Sequence, residues 1–198
     1  MKLFMIRHGE AVDDIENCYG GIADFPLTDK GREQAREVGR QIAGKGIQAI
    51  YSSPLSRANE CARIIAEQIP GKIPLKVVGD LQERNSYGVL SGVNKDRAKE
   101  IFEHILSGLK EPPGYSREPL AGAEDFDAFV RRVETAFRAV IADAQSTNCQ
   151  TIAIVTHGKF TQALFEYVLR LEDKVDLKLC AVNVIDYEPA RAKISENH

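Results

Sequence analysis

The chain has 198 residues, 43% hydrophobic and 28% charged, with a formal net charge of −3 at pH 7. These values suit one soluble globular domain with a sizeable core, residues 1–198, and argue against a broad nucleic-acid-binding surface while permitting a local cationic pocket. No apolar run approaches the roughly 20 residues that span a membrane. The N-terminal apolar run is too short for a secretory signal, and Cys18, Cys61, Cys149 and Cys180 lack CxxC spacing. The expectation is therefore a cytoplasmic protein with reduced thiols, a monomer or small homo-oligomer.

Leu3 to Ile6 is an apolar run between Lys2 and Arg7, which predicts a buried strand ending in Arg7-His8-Gly9-Glu10. Loop formers follow as far as Pro26, and Thr28 or Asp29 then caps a helix ending near Ala43, with Ala35, Val38, Gly39 and Ile42 on its inner face. Ile47 to Tyr51 reads as a second strand. Ser53 as N-cap and Pro54 at the first position open the next helix, which carries Leu55, Ala58, Ala62 and Ile65 inward. Ile73 to Val78 reads as a third strand, Gly79 to Gly92 as a long loop, and Asn94 to Leu106 as a polar helix.

Residues 107–122 are rich in Gly and Pro, so 93–122 is expected to form a short irregular cap. A long helix over about Glu124–Ala144 has Phe126, Phe129, Val130, Val133, Phe137, Val140 and Ile141 as its apolar stripe, with Arg131-Arg132 expected on the solvent side. Thr151 to Thr156 is a fourth core strand, ending at His157-Gly158. A helix through Ala163–Val168 and a last strand over about Leu179–Tyr187 complete the chain. Alternation of strands and helices predicts an α/β fold: three α/β/α layers around a mostly parallel sheet.

Two strands end in His-Gly, and in a parallel sheet both ends lie on one edge, where ligands of open α/β sheets bind. Arg57 enters on the first turn of a helix after another strand end, where the helix N-terminus adds N–H donors. Two arginines and two histidines on one edge make an anion site, and the guanidinium fork matches the oxygens of a phosphate.

Four motifs in order resemble the histidine phosphatase superfamily, the phosphoglycerate mutase-like family. They are Arg7-His8-Gly9-Glu10, Gly21 to Gly31, Ser52-Ser53-Pro54-Leu55-Ser56-Arg57-Ala58 and Thr156-His157-Gly158. The resemblance implies that His8 is a nucleophile forming a phosphohistidine, with Arg7, Arg57 and His157 around the phosphoryl group and neither metal nor other cofactor required. A neutral imidazole suits that role, and the neighbouring arginines disfavour its charged form. A backbone carbonyl in the loop at Gly9 is expected to hold the other ring nitrogen.

Glu83 is the candidate proton donor and acceptor. The family has glycine four residues after this Glu, whereas Gly88 comes five after Glu83, so a one-residue bulge is expected. Gly9, Asp14, Gly21, Arg84, Tyr87, Lys95 and Gly158 are the implied substrate-binding residues. Asp14 stands where many members have Asn, and Gly122-Ala123-Glu124-Asp125 where members often read Gly-Gly-Glu-Ser.

Arg84, Tyr87 and Lys95 also resemble substrate-binding residues of the cofactor-dependent phosphoglycerate mutases. Those mutases carry a longer insertion with an Arg-Arg pair, which residues 96–122 lack. A small cap is poorly suited to excluding water, so hydrolysis of a small phosphomonoester is the favoured activity. The mutase reaction and non-catalytic phosphate recognition are the alternatives.

Overall fold

The computed structural model describes residues 1–107, 121–188 and 191–197, with backbone alone for 102–107 and 191–197. Most of the expected cap, residues 108–120, lies outside the described residues.

The first strand, β1 (Lys2–Arg7), buries Leu3, Phe4, Met5 and Ile6, none more than 2% exposed. Full burial of side chains this size contributes about 2 kcal/mol each. A short helix, α1 (Val12–Ile15), precedes α2 (Asp29–Ile42), which Thr28 caps by accepting the Gly31 N–H at 3.0 Å. Such a cap stabilises a helix by about 1 kcal/mol. Next come β2 (Ala49–Ser52), α3 (Ser56–Gln68), β3 (Leu75–Val77) and α4 (Lys95–Ser107). The long α5 (Phe126–Ser146), β4 (Thr151–Thr156) and α6 (Gly158–Ala163) follow, and a π-helical turn over Leu164–Val168 extends α6.

The chain ends in a hairpin, β5 (Val182–Glu188) and β6 (Arg191–Asn197). The sequence reading stopped at one last strand. Arg191–Asn197 alternates polar and apolar residues too weakly to announce itself, and it is a strand because it pairs antiparallel at the sheet edge.

Among the described residues the sheet order is β3-β2-β4-β1-β5-β6, parallel through β1 and antiparallel beyond it. Period-two alternation splits β1 between the layers. Leu3 and Met5 join the cluster under α5 and α6, whereas Phe4 and Ile6 join the one under α2 and α3. The result is the expected α/β fold with a mostly parallel sheet between helical layers.

Register decides what meets at the sheet edge. Arg7 pairs with Thr156 and Ser52 with Val155, so His8, His157 and Ser53 leave three neighbouring parallel strands side by side. The His8 N–H donates to the Thr156 carbonyl at 3.0 Å, and the Ser53 N–H to the Val155 carbonyl at 3.0 Å. These bonds carry the sheet's order one residue past the strands.

Candidate active site

At that edge lies a cavity of about 380 Å³ whose wall includes Arg7, His8, Asp13, Asp14, Gly21 and Arg57. Glu83, Arg84, Tyr87, Lys95, Gly158 and Lys159 complete its charged and aromatic lining. Ten of the twelve candidates named from sequence are thus in the wall; Gly9 and His157 stand behind it.

His8 is 5% exposed, and its Nδ1 lies 2.8 Å from the Gly9 carbonyl oxygen. A carbonyl only accepts, so Nδ1 carries the proton and Nε2 keeps its lone pair. The Arg57 Nε–H meets that lone pair at 3.3 Å. Burial and the Arg57 guanidinium hold the His8 pKa down to about 3; Arg7 adds to this, and the Gly9 carbonyl opposes it. His8 is therefore a neutral imidazole with Nε2 unprotonated.

Gly9 acts on His8 rather than lining the cavity, and its position has a steric reason. A Cβ there would lie 2.6 Å from the Gly31 carbonyl oxygen, so only glycine lets this loop pack on α2. Glu10 completes that junction by accepting the Thr28 hydroxyl at 2.8 Å and pairing with Lys30 at 2.7 Å.

Arg57 is 2% exposed. Its Nη1 and Nη2 donate to the Ala23 and Gly21 carbonyls, both at 2.8 Å. Gly21 thereby serves the site through its carbonyl. Arg7 donates from Nη1 to the Leu177 carbonyl, and its Nε is buried with no partner. Gly158 packs where a Cβ would sit 3.5 Å from the Arg7 guanidinium carbon. The Arg57 and Arg7 guanidinium groups thus line the cavity bonded to carbonyls and to His8, and among the described residues neither has a carboxylate in salt-bridge contact. Such charge is costly unless compensated, and an anion in the cavity would compensate it.

His157 is wholly buried, with its ring centroid 5.1 Å from that of His8. Its Nε2 lies 2.8 Å from Ser53 Oγ, which also accepts the Leu55 N–H at 3.3 Å. Ser53 thus holds one ring nitrogen of His157 in place. Nδ1 is buried without a partner. Burial, then His8 and the arginines, lower the His157 pKa well below the usual value.

Ser53 was expected as a helix N-cap. Instead α3 begins at Ser56, whose N–H and hydroxyl donate to the Asp24 carboxylate at 2.6 and 2.8 Å. The helix terminus expected to receive an anion is therefore already occupied by Asp24. The start of α6 is occupied too: Glu83 accepts the Lys159 and Phe160 N–H groups, each at 3.1 Å, and the Arg84 N–H at 2.9 Å. Both helix ends are filled by the protein's own carboxylates, so an added anion must rely on side chains.

Between Glu83 and Gly88 the chain makes a tight turn, in which the Ser86 N–H donates to the Arg84 carbonyl at 2.8 Å. Ser86 thereby reaches the cavity and accepts a 2.9 Å bond from Lys159 Nζ. The Arg84 guanidinium donates to the Glu124 carbonyl at 3.1 Å and stacks over Phe126 and Phe129. Tyr87 packs on Tyr19 with ring centroids 4.8 Å apart, and the Lys95 ammonium lies 5.8 Å from the Tyr19 centroid.

Asp14 shares the cavity wall with a residue not anticipated, and one expectation, that for Arg132, needs correction. Asp14 accepts the Ala11 N–H at 2.9 Å, whereas its neighbour Asp13 has Oδ1 buried and unpartnered beside Arg57. Burial raises the Asp13 pKa, against the pull of Arg57. Arg132, expected to face solvent, instead grips Glu124 through two 2.8 Å bonds. It also donates to the carbonyls of Asp80, Gln82 and Glu83. Helical periodicity placed it off the apolar stripe correctly, but the loop bearing Glu83 covers that face. Lys159 and Ser86 were missed as well; only adjacency to His157-Gly158 and Glu83 could have pointed to them.

Among the described residues no group of three or more His, Cys, Asp or Glu is placed to hold a metal ion. No described helix is long and apolar enough to cross a membrane.

A family model, the histidine phosphatase superfamily (branch 1), matches residues 3–197. A 2,3-bisphosphoglycerate-dependent phosphoglycerate mutase from Parvibaculum lavamentivorans is 31% identical over 94% of this chain and 87% of its own length. Among solved structures, the alpha-ribazole phosphatase of Shigella flexneri superposes with a TM-score of 0.77 at 25% identity, over 98% of this chain and 94% of the other. A phosphoserine phosphatase from Entamoeba histolytica shares the fold, with a TM-score of 0.68 at 24% identity, over 99% and 95%.

Proposed function

The chain belongs to the histidine phosphatase superfamily, whose members are enzymes, and on that premise we propose that it hydrolyses a small phosphomonoester through a phosphohistidine on His8. One observation carries this reading: a neutral imidazole in the wall of a cavity, its unprotonated Nε2 meeting the Arg57 guanidinium, with the Arg7 guanidinium in the same wall.

In the proposed reaction Nε2 attacks phosphorus and the bond from phosphorus to the ester oxygen breaks. Glu83, protonated, gives its proton to the departing alkoxide. Arg7 Nε, the Arg57 fork and His157 Nδ1 receive the phosphoryl oxygens, all oriented before substrate arrives. Water then attacks phosphorus and passes a proton to the Glu83 carboxylate, the N–P bond breaks, and phosphate leaves. Lys95, Lys159 and Tyr87 border the leaving-group side of the cavity. Asp14, bonded to Ala11, holds the loop below it.

A mutase reading is favoured by the names of the curated relatives. Hydrolysis is favoured by the length of 96–122 and its lack of an Arg-Arg pair. Residues 1–198 are proposed to act as one unit with 93–122 as its cap, since the sheet takes strands from both ends of the chain.

The test is purified protein against a panel of phosphomonoesters, with 3-phosphoglycerate plus 2,3-bisphosphoglycerate included. Phosphate release that falls at least about a hundredfold in His8→Ala is expected. Conversion of 3- to 2-phosphoglycerate without phosphate release would establish the mutase instead. Turnover unchanged in His8→Ala would overturn both.

A further inference from the structure

Beside the catalytic cavity lies a second one of about 170 Å³, lined by Phe126, Phe129, Ala163, Glu166 and Tyr167. The two cavities share Arg84, Lys159 and Gln162 as a common wall. Resting on the phosphomonoester reading, we propose that this annex is a subsite for a single aromatic ring on the substrate's leaving group.

Its lining argues for a ring. Phe126 was expected in the buried stripe of α5, yet it is 37% exposed and Tyr167 49%, while Phe129 beneath them is 1% exposed. The Phe126 and Tyr167 rings meet edge to face at 5.0 Å, an arrangement that presents aromatic surface to the annex. Large aromatic side chains kept half in water beside an anion pocket mark a place where apolar surface is to be covered. The covering group is identified by size and charge. A dry apolar cavity of about 150 Å³ takes a benzene molecule, so the annex has room for one ring.

The shared wall favours an aromatic over an aliphatic group. The Arg84 guanidinium, its Nε buried and unpartnered, already stacks over Phe126 at 5.1 Å and Phe129 at 5.7 Å. An incoming ring would offer the same negative π face to Arg84 and Lys159.

Calorimetric titration with non-hydrolysable benzylphosphonate, cyclohexylmethylphosphonate and ethylphosphonate tests the subsite without requiring turnover. The benzyl compound is expected to bind about tenfold more tightly than the ethyl one, as burial of a ring's apolar surface implies, and more tightly than the cyclohexylmethyl one. That preference should shrink to below threefold in both Tyr167→Ala and Phe126→Ala. Equal affinities in the unaltered protein, a preference kept in both variants, or binding of none of the three would overturn the subsite. Cyclohexylmethyl binding as tight as benzyl would overturn its aromatic character. Hydrolysis of benzyl and ethyl phosphates is measured in parallel. Phosphonate binding with the expected preference but no phosphate release would leave the subsite standing and sink the hydrolase reading.

Discussion

The two halves of the cavity are built differently. On the strand side, His8, His157 and Ser53 follow three adjacent parallel strands, and backbone hydrogen bonds continue the sheet past its ends to hold them. On the loop side, Glu83, Arg84, Ser86 and Tyr87 sit on a stretch with only short 3₁₀ turns, held in place from α5 and α6. Arg132 ties this loop to Glu124, while Glu83 caps α6. A sheet edge sets positions through the ladder, so its geometry is inherited by whatever follows the strand. A loop must be held by individual side chains, so its geometry can be retuned one residue at a time. On the proposed reading the nucleophile and the phosphoryl-binding groups sit on the rigid side, and the proton donor Glu83 sits with the substrate-contacting residues on the adjustable one.

Breaking the strand side should cost most. Arg57→Lys keeps a positive charge but loses the fork that spans the Gly21 and Ala23 carbonyls while its Nε meets His8. A fall in kcat of about a hundredfold or more is expected, with little change in KM. Steady-state kinetics on the best substrate from the panel checks this. A tenfold rise in KM at unchanged kcat would move Arg57 to the substrate-contacting side.

Arg132→Ala probes the loop side from a distance. A solvent-facing helix arginine could be removed at no cost, but this one makes charge-assisted bonds to Glu124 and bonds to three loop carbonyls. Its loss should lower stability by roughly 2 kcal/mol, as the breaking of partly buried charged hydrogen bonds implies. It should also reduce kcat about tenfold by freeing Glu83. Urea unfolding measures the first effect. A change in the alkaline or acid limb of the kcat profile, restored in part by Arg132→Lys, separates positioning of Glu83 from mere destabilisation.

Asp13 gives the smallest effect, and its sign follows from linkage. Its pKa in the folded state is raised above the ordinary 3.8 by burial. The stability contributed by the protonated form is thus fully present below 3.8 and lost as pH rises through the raised value. Asp13→Asn cannot ionise, so it should melt at a higher temperature than the unaltered protein at pH 7. The two should melt together at pH 3.5. A lower melting temperature for Asp13→Asn at pH 7 would show that the Asp13 carboxylate is held by Arg57 more strongly than burial opposes it.

What could be read without a structure follows the same division. The strand side was legible because each residue there adjoins an apolar run that reads as a buried strand. Parallel order then puts Arg7-His8-Gly9 and Thr156-His157-Gly158 on one edge. The loop side was legible only through resemblance, and there the particulars differ. Asp13 joins Asp14 in the cavity wall, and Ser53 serves His157 rather than α3. Arg132 reaches the loop across α5. These contacts join residues many positions apart, and no local periodicity encodes them.

By itself the sequence determined the α/β alternation, the histidine-bearing strand ends and the helix over α5, because backbone propensity and hydrophobic period act within a few neighbouring residues. Tertiary structure alone decided the pairing of His157 with Ser53, the capping of α3 by Asp24 and of α6 by Glu83, and the exposed aromatic annex beside them. Those depend on burial and on which distant groups come within hydrogen-bonding reach, and only the packed chain sets both.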